Sequence, residues 1–283
     1  LTKYIKGTPA MPSASPAPLP AVQHFILERD GDWLTIWFNR PDARNALSGE
    51  VSAELRAITA AVREDSSLRG VTLRGKGKVF CAGGDIKGFQ NVFQGGELNL
   101  DDVAKANSDT GQLFHEINTL PQVVVILVQG AAIAGGLGLT CCADVVAVTE
   151  DAQFSMTETA IGIVPAQIAP FVIARIGLTA SRRLMLTAGR FKGDEAGSLG
   201  LADYVVADVA ALDAIEAEIR TGVRRCAPGA NAETKALIMA LPSMTAQEGR
   251  SAGGYAFARC MMSDEGAEGV ASFIEKRKPV WAE

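Results

Sequence analysis

Residues 123–139 read "VVVILVQGAAIAGGLGL": an apolar run, a polar interruption at Gln129, then a cluster of glycines, with no charge anywhere. An unbroken run of branched apolar residues closed by glycine is the pattern of a strand buried on both faces. The glycines that follow open a helix, whose first backbone N–H groups have no intrahelical partner and suit developing negative charge. The stretch approaches the length of a membrane span, but Gln129 and the glycines would make a poor spanning helix, so it reads as core.

The same grammar extends in both directions. Upstream, "HFILERDGDWLTIWFN" (24–39) gives two strands around Asp30-Gly31, a hairpin signal. "FNRPDARNALS" (38–48) breaks the pattern and ends at Ser48, a good N-cap, after which Val51, Leu55, Ile58 and Val62 recur at helical spacing. "GVTLRG" (70–75) and "KVFCAGGDI" (78–86) read as strands, and "LDDVAKANSDTGQLFHEINTL" (100–120) as a polar helix. Downstream, "DVVAVT" (144–149) and "AQFSM" (152–156) are two more strands. Short strands alternating with helices predict an α/β fold with a mainly parallel sheet.

From about Ala210 the strand signal disappears and three or more helices are expected, one starting at Thr245 with Glu248 placed for a capping box. The chain closes on "VASFIEKRKPVW" (270–281), an apolar stripe with a basic cluster. The N-terminal residues 1–22, rich in Pro, Ala and Ser, form no regular element, and Met11 stands as a candidate start with residues 1–10 an appended remnant. The expected organisation is a disordered segment 1–22, a core domain 23–209, and a C-terminal helical oligomerisation region 210–283.

With 283 residues, 48% hydrophobic and 21% charged, the chain can bury a sizeable core. Its formal net charge of -5 supplies no basic field for nucleic acid or an anionic membrane surface, so any anionic ligand must be held locally. Five cysteines, at 81, 141, 142, 226 and 260, contain no CxxC and suggest neither a zinc site nor a disulfide framework; a reducing cytoplasm is the expected home. His24 and His115 have no Ser-His-Asp or metal-ligand spacing and read as structural.

A second glycine pair, Gly83-Gly84 in "VFCAGGDIK" (79–87), also follows an apolar strand. Two such loops, if they converge, offer one N–H each to an oxyanion. By themselves glycines at strand-to-helix turns serve packing as readily. "GAAIAGGLG" lacks the GxGxxG spacing of a dinucleotide site after a first strand, and a Walker loop is absent.

"FNRPDARNALS", "GKVFCAGGDIKGF", "VQGAAIAGGLGL", "AQFSMTETAIGIVP", "LTAGRFKGDEAGSLGLADYVV" and "SFIEKRKPVW" occur in this order over roughly residues 24–280, and together they resemble the crotonase superfamily, the enoyl-CoA hydratases and isomerases. The resemblance implies a crotonase (ClpP-like) spiral of repeated ββα units with a C-terminal helical region, assembled as a homotrimer or a dimer of trimers. It implies an acyl-CoA thioester substrate, coenzyme A being part of that substrate and no separate cofactor or metal being needed. The thioester carbonyl would be held by the N–H groups of Gly84 and Gly135. Arg44, Lys87 and Lys276, with Ala82, Asp85 and Ile86 of the first glycine loop, match substrate- or CoA-binding positions; Lys278 resembles a second tail lysine, such lysines often reaching the nucleotide across subunits.

Hydratases of the family commonly carry one glutamate just after the second glycine pair and another about twenty residues on. Here the first position is Gly138 and the second is Glu158. A glutamate within "QFSMTETAIGIV" (153–164) would be desolvated, its pKa raised, and fit to shuttle a proton. One carboxylate suffices for a Δ3,Δ2-enoyl-CoA isomerase, and serves a hydratase if it alternates between acid and base. The 3-hydroxyacyl-CoA hydrolases and the dehalogenases look similar but place an acidic residue where this chain has Ala166. A non-catalytic crotonase-fold protein binding RNA or a partner is opposed by the acidic charge and by retention of Glu158 with both loops. "GIVPAQIAPFVIARIGL" (162–178) looks most like hydratases of branched glutaconyl thioesters, such as isohexenylglutaconyl-CoA hydratase. The expected activity is therefore enoyl-CoA hydration, with an acyl pocket lined by residues 88–118 and the region after Pro165.

Overall fold

A computed structural model describes residues 17–85 and 99–282. Two candidate ligand residues, Ile86 and Lys87, lie outside the described residues.

The hairpin forms as its turn residues require: β1 (Phe25–Asp30) and β2 (Trp33–Phe38) pair antiparallel, with Asp30 opposite Trp33. Ser48 then caps α1 (Gly49–Glu64), its hydroxyl accepting from the Val51 N–H at 3.3 Å, and Val51, Leu55, Ile58 and Val62 are buried. β3 (Gly70–Gly75) runs parallel to β2, and after α2 (Leu100–Asn118) comes β4 (Val123–Val128), parallel to β3. The branched residues of β4 serve two cores by strict alternation. Val124, Ile126 and Val128 join the larger cluster, and Val125 and Leu127 the smaller one on the opposite face.

β5 (Ala131–Ile133), α3 (Gly135–Thr140), β6 (Val145–Thr149), β7 (Gln153–Ser155), α4 (Ala169–Thr187), β8 (Arg190–Lys192), α5 (Gly193–Ser198) and β9 (Tyr204–Val206) complete the α/β part. The large sheet has the order β1-β2-β3-β4-β6-β9 and the small one β5-β7-β8. Of "KVFCAGGDI", expected as a strand, the described residues 78–85 instead make isolated bridges, Leu47 with Gly84 and Cys81 with Ala132, both parallel. These bridges extend the small sheet backwards, so successive windings each give a strand to the large sheet, an extended segment to the small one, and a helix. The result is the expected crotonase spiral of ββα units.

Of the segment expected to be disordered, residues 17–22 form no regular element, yet Leu19 and Val22 pack against the core. At the other end four helices follow β9 among the described residues: α6 (Val209–Arg224), α7 (Pro228–Ala240), α8 (Ala246–Met261) and α9 (Asp264–Glu275). Thr245 and Glu248 form the expected capping box at α8. The helical region begins by packing on the core: α6 covers the second face of the large sheet, with Leu212 and Ile219 against Trp33, Val125 and Ala147.

α7 is fastened by a buried ion pair. Lys235 Nζ lies 2.6 Å from Asp144 Oδ2 and donates to the Gln122 carbonyl at 3.2 Å, while the same Asp144 oxygen accepts from the Val124 N–H at 2.7 Å. Burial holds the Lys235 ammonium below its ordinary pKa against the opposing pull of Asp144. Asp144→Ala leaves that ammonium buried without its partner and is expected to cost about 3 kcal/mol or more, whereas Lys235→Met removes the charge along with its desolvation and costs clearly less. Urea unfolding of both variants checks this, and equal losses would contradict it.

Candidate active site

The site is framed by the loop before α1. Pro41–Ala43 makes one 3-10 turn, then Arg44 and Asn45 both take left-handed backbone, each at φ 52°. The buried Asn45 side chain fixes this bend: its Nδ2 donates to the carbonyls of Lys76 at 3.1 Å and Val79 at 2.6 Å, and its Oδ1 accepts from the Arg40 N–H at 2.9 Å. The bent loop then presents a backbone edge to the first glycine loop. Ala82 N donates to Arg44 O at 3.1 Å, Leu47 N to Gly83 O at 2.8 Å, and Asp85 N to Leu47 O at 3.2 Å.

The second glycine loop is held from the other side. Cys81 N donates to Ala131 O at 3.1 Å, Ile133 N to Cys81 O at 2.9 Å, and Ala134 N to Ser155 O at 2.8 Å. The two loops therefore converge. At Gly83, φ is +84°, and a Cβ there would lie 2.7 Å from the Ala134 Cβ, 2.8 Å from the Ile133 carbonyl oxygen and 3.0 Å from the Gly135 nitrogen. Ala134 itself sits at φ 51° and ψ -119°, strained for a residue with a side chain, which sets the direction in which α3 starts. The N–H groups of Gly84 and Gly135 take no hydrogen-bond partner among the described residues. Two converging free donors suit a carbonyl oxygen that gains charge.

Glu158 arrives by the next winding. Ser155, whose carbonyl receives the Ala134 N–H, ends β7, and three residues later Glu158 begins a 3-10 turn, Glu158–Ile161. The turn is tied to α4 by Thr159 Oγ1, which donates to Met185 O at 2.7 Å. Glu158 Oε2 is buried with no hydrogen-bond partner. Burial pushes its carboxyl above the ordinary range, opposed only in part by its own backbone N–H. This is the raised carboxyl expected for a proton-transfer group.

The place just after the second glycine pair is closed to any side chain. A Cβ on Gly138 would fall 2.6 Å from Ile168 Cβ, closer still to Ile168 Cγ2, and 3.3 Å from the Phe114 ring. Phe114 also lies 3.8 Å from the Cβ position of Gly135, so Phe114 and Ile168 form an apolar wall beside the second donor. Both fall within the regions expected to line the acyl pocket, but neither is singled out by the sequence: each sits on a helix or cap at unremarkable spacing, and only the tertiary fold brings them to Gly138.

Other expected ligand residues are less drawn together. Arg44 is exposed on the loop that frames the first donor, and Ala82 and Asp85 are half-buried within the glycine loop. Lys276 is exposed at the left-handed end of α9. The tail beyond it is anchored by Trp281, whose Nε1 donates to Arg225 O and whose carbonyl accepts from Arg69. Arg69 precedes β3, whereas the glycine loops follow the opposite ends of the parallel strands. Cys81 is buried in the first loop and its thiol is pushed up to about 12, which makes it no nucleophile.

A family profile described as "Enoyl-CoA hydratase/isomerase" matches residues 29–283. Among solved structures, "Pseudomonas aeruginosa AtuE" is 46% identical, with a TM-score of 0.88 over 92% of this chain and 100% of its own. An enoyl-CoA hydratase/isomerase from Marinobacter aquaeolei is 41% identical, with a TM-score of 0.87 over 92% of this chain and 99% of its own. The short-chain-enoyl-CoA hydratase of Clostridium acetobutylicum is 27% identical over 91% of this chain and 97% of its own length.

Proposed function

The chain belongs to the enoyl-CoA hydratase/isomerase family, and from that membership we propose that it is a hydratase in which Glu158 is the acid and base and the N–H groups of Gly84 and Gly135 form the oxyanion hole. The observation that carries this reading is the buried, unpartnered Glu158 oxygen one winding away from two unpartnered, converging N–H groups. In the hydration direction Glu158, ionised, takes a proton from water as its oxygen bonds to C3. The thioester becomes an enolate whose oxygen is held by the two donors, and the proton is returned to C2. Dehydration is the reverse.

The acyl group we propose is a branched glutaconyl type, such as isohexenylglutaconyl, on the resemblance of residues 162–178. Such a substrate brings its own distal carboxylate, which orders water where the chain has no second glutamate. The exposed Arg44 supports a phosphate contact of coenzyme A at the mouth of the site, and Lys276 would serve a neighbouring protomer. Exposed Ile173, Leu178 and Leu186 of α4, with Phe257, Phe273 and Ile274 of the C-terminal helices, support a homotrimer or dimer of trimers. No described helix is long and apolar enough to cross a membrane, and all five cysteines are free, in keeping with the proposed cytoplasmic setting.

The absence of a carboxylate at Gly138 favours a second reading, a Δ3,Δ2-isomerase, in which Glu158 moves one proton between C2 and C4. Intact-mass analysis of products from 2-enoyl, 3-enoyl, 3-hydroxyacyl and branched glutaconyl thioesters separates the two. The expected result is gain or loss of one water, greatest with the glutaconyl thioester and abolished in Glu158→Gln. An unchanged mass with a moved double bond makes the enzyme an isomerase. Equal turnover of crotonyl-CoA and the glutaconyl thioester counts against the substrate assignment.

A further inference from the structure

We infer that Ile168 is a specificity-determining residue that limits the site to one carboxylate, by occupying the space that any side chain at position 138 would require. The inference rests on the family reading for its chemical meaning, though its steric basis is independent of which reaction is catalysed.

Ile168 is 4% exposed, and it holds the position immediately before α4. Its contact with Gly138 is made not by the end of a flexible chain but by its Cβ and a methyl directly attached to it. The Ile168 Cβ is 2.6 Å from the Cβ that residue 138 lacks, and the methyl is closer still. Branching at Cβ restricts rotation, so the methyl has no easy escape. On the other side the space is bounded by the Phe114 ring at 3.3 Å, itself buried. The backbone at 138 is also fixed, since its N–H donates to Ala134 O at 3.0 Å and its carbonyl accepts from the Cys142 thiol.

Glycine at 138 and isoleucine at 168 are thus one feature. The wall next to the second donor is apolar, and it offers incoming water no carboxylate to supplement Glu158. A thioester whose own acyl group carries a carboxylate is not disadvantaged by that wall, whereas a plain enoyl thioester depends wholly on Glu158. Ile168 thereby favours acidic acyl groups over simple ones.

Two measurements test this. The first is a stability cycle of Gly138→Ala, Ile168→Gly and the double variant, read as thermal midpoints. Gly138→Ala alone is expected to lower Tm by about 5 °C through overpacking. In the Ile168→Gly background the same substitution is expected to cost nothing, because glycine is tolerated before a helix and vacates the space. Additive losses overturn the steric inference, whatever the enzyme's reaction. The second compares crotonyl-CoA hydration by Ile168→Gly and by Gly138→Glu/Ile168→Gly, each verified as folded by circular dichroism. Supplying the second carboxylate is expected to raise kcat/KM on the order of tenfold or more. The ratio of glutaconyl to crotonyl turnover is expected to fall by the same factor. A coupled stability cycle with no such change in ratio keeps the packing but overturns the role in specificity. If neither parent nor variants hydrate any thioester while the stability cycle is coupled, it is the hydratase reading that fails.

Discussion

Glu158→Gln is expected to lower kcat/KM by about 100- to 10,000-fold, the range that a positioned general acid and base supplies, with little change in KM. The glutamine keeps the size of the side chain but holds no exchangeable acid proton and accepts none from water. The pH profile carries a second signature. Because burial raises the Glu158 carboxyl, the acid limb of kcat/KM is expected above the ordinary carboxylate range. Between the ordinary value of 4.5 and the raised one, the folded protein binds more protons than the unfolded chain, so stability falls as pH rises through that window. Above it, the folded state carries the cost of a desolvated carboxylate, offset only in part by its own backbone N–H. The glutamine variant, freed of that cost, is expected to be more stable than the parent near neutral pH and no more stable below the ordinary value of 4.5. Urea midpoints at the two pH values measure the difference; a less stable variant at neutral pH would mean that the Glu158 charge is well solvated or paired.

Gly83→Ala is expected to reduce kcat/KM by on the order of 100- to 1000-fold, as much as losing one oxyanion donor outright. The new methyl would sit 2.7 Å from the Ala134 Cβ and 3.0 Å from the Gly135 nitrogen, and φ of +84° is itself unfavourable for alanine. Something must move, and what moves is the relative placement of the two donors, where a displacement near 1 Å carries a cost of about 100-fold. Affinity for a CoA thioester analogue whose carbonyl is replaced by methylene should change little, since it has no oxygen for the donors to hold. If the variant loses activity and binds the analogue much more weakly, the damage extends beyond the donors to the pocket as a whole.

What is legible in the sequence is local or periodic. The Asp30-Gly31 turn, the Ser48 cap, the unbroken apolar run of β4 and the Thr245–Glu248 capping box depend on neighbours within a few residues, and all take the expected form. The segment 78–86 reads as a strand, but its described residues 78–85 do not become one, because their partners, Leu47 and Ala132, are supplied by distant windings, which leave single bridges rather than a ladder. The site divides in the same way. The glycine pairs and Glu158 are visible as motifs; the wall of Phe114 and Ile168 shows only as part of two broad regions, since nothing at those positions distinguishes them from ordinary core. Asn45, a buried polar residue with three hydrogen bonds, lies within a quoted motif, yet its role emerges only where the carbonyls of Lys76 and Val79 converge on it.

The rungs that join residues 44–47, 81–84, 131–134 and 153–155 are made from backbone groups. Nothing in such a bond depends on the identity of a side chain, so the placement of the two free N–H groups can pass unchanged through long stretches of sequence drift. The described arcs between the rungs, among them α2 and the span after Pro165, supply none of these backbone bonds. A lineage can therefore exchange much of these arcs, apart from the points such as Ile168 that pack on the helix behind the second glycine pair, without disturbing the rungs.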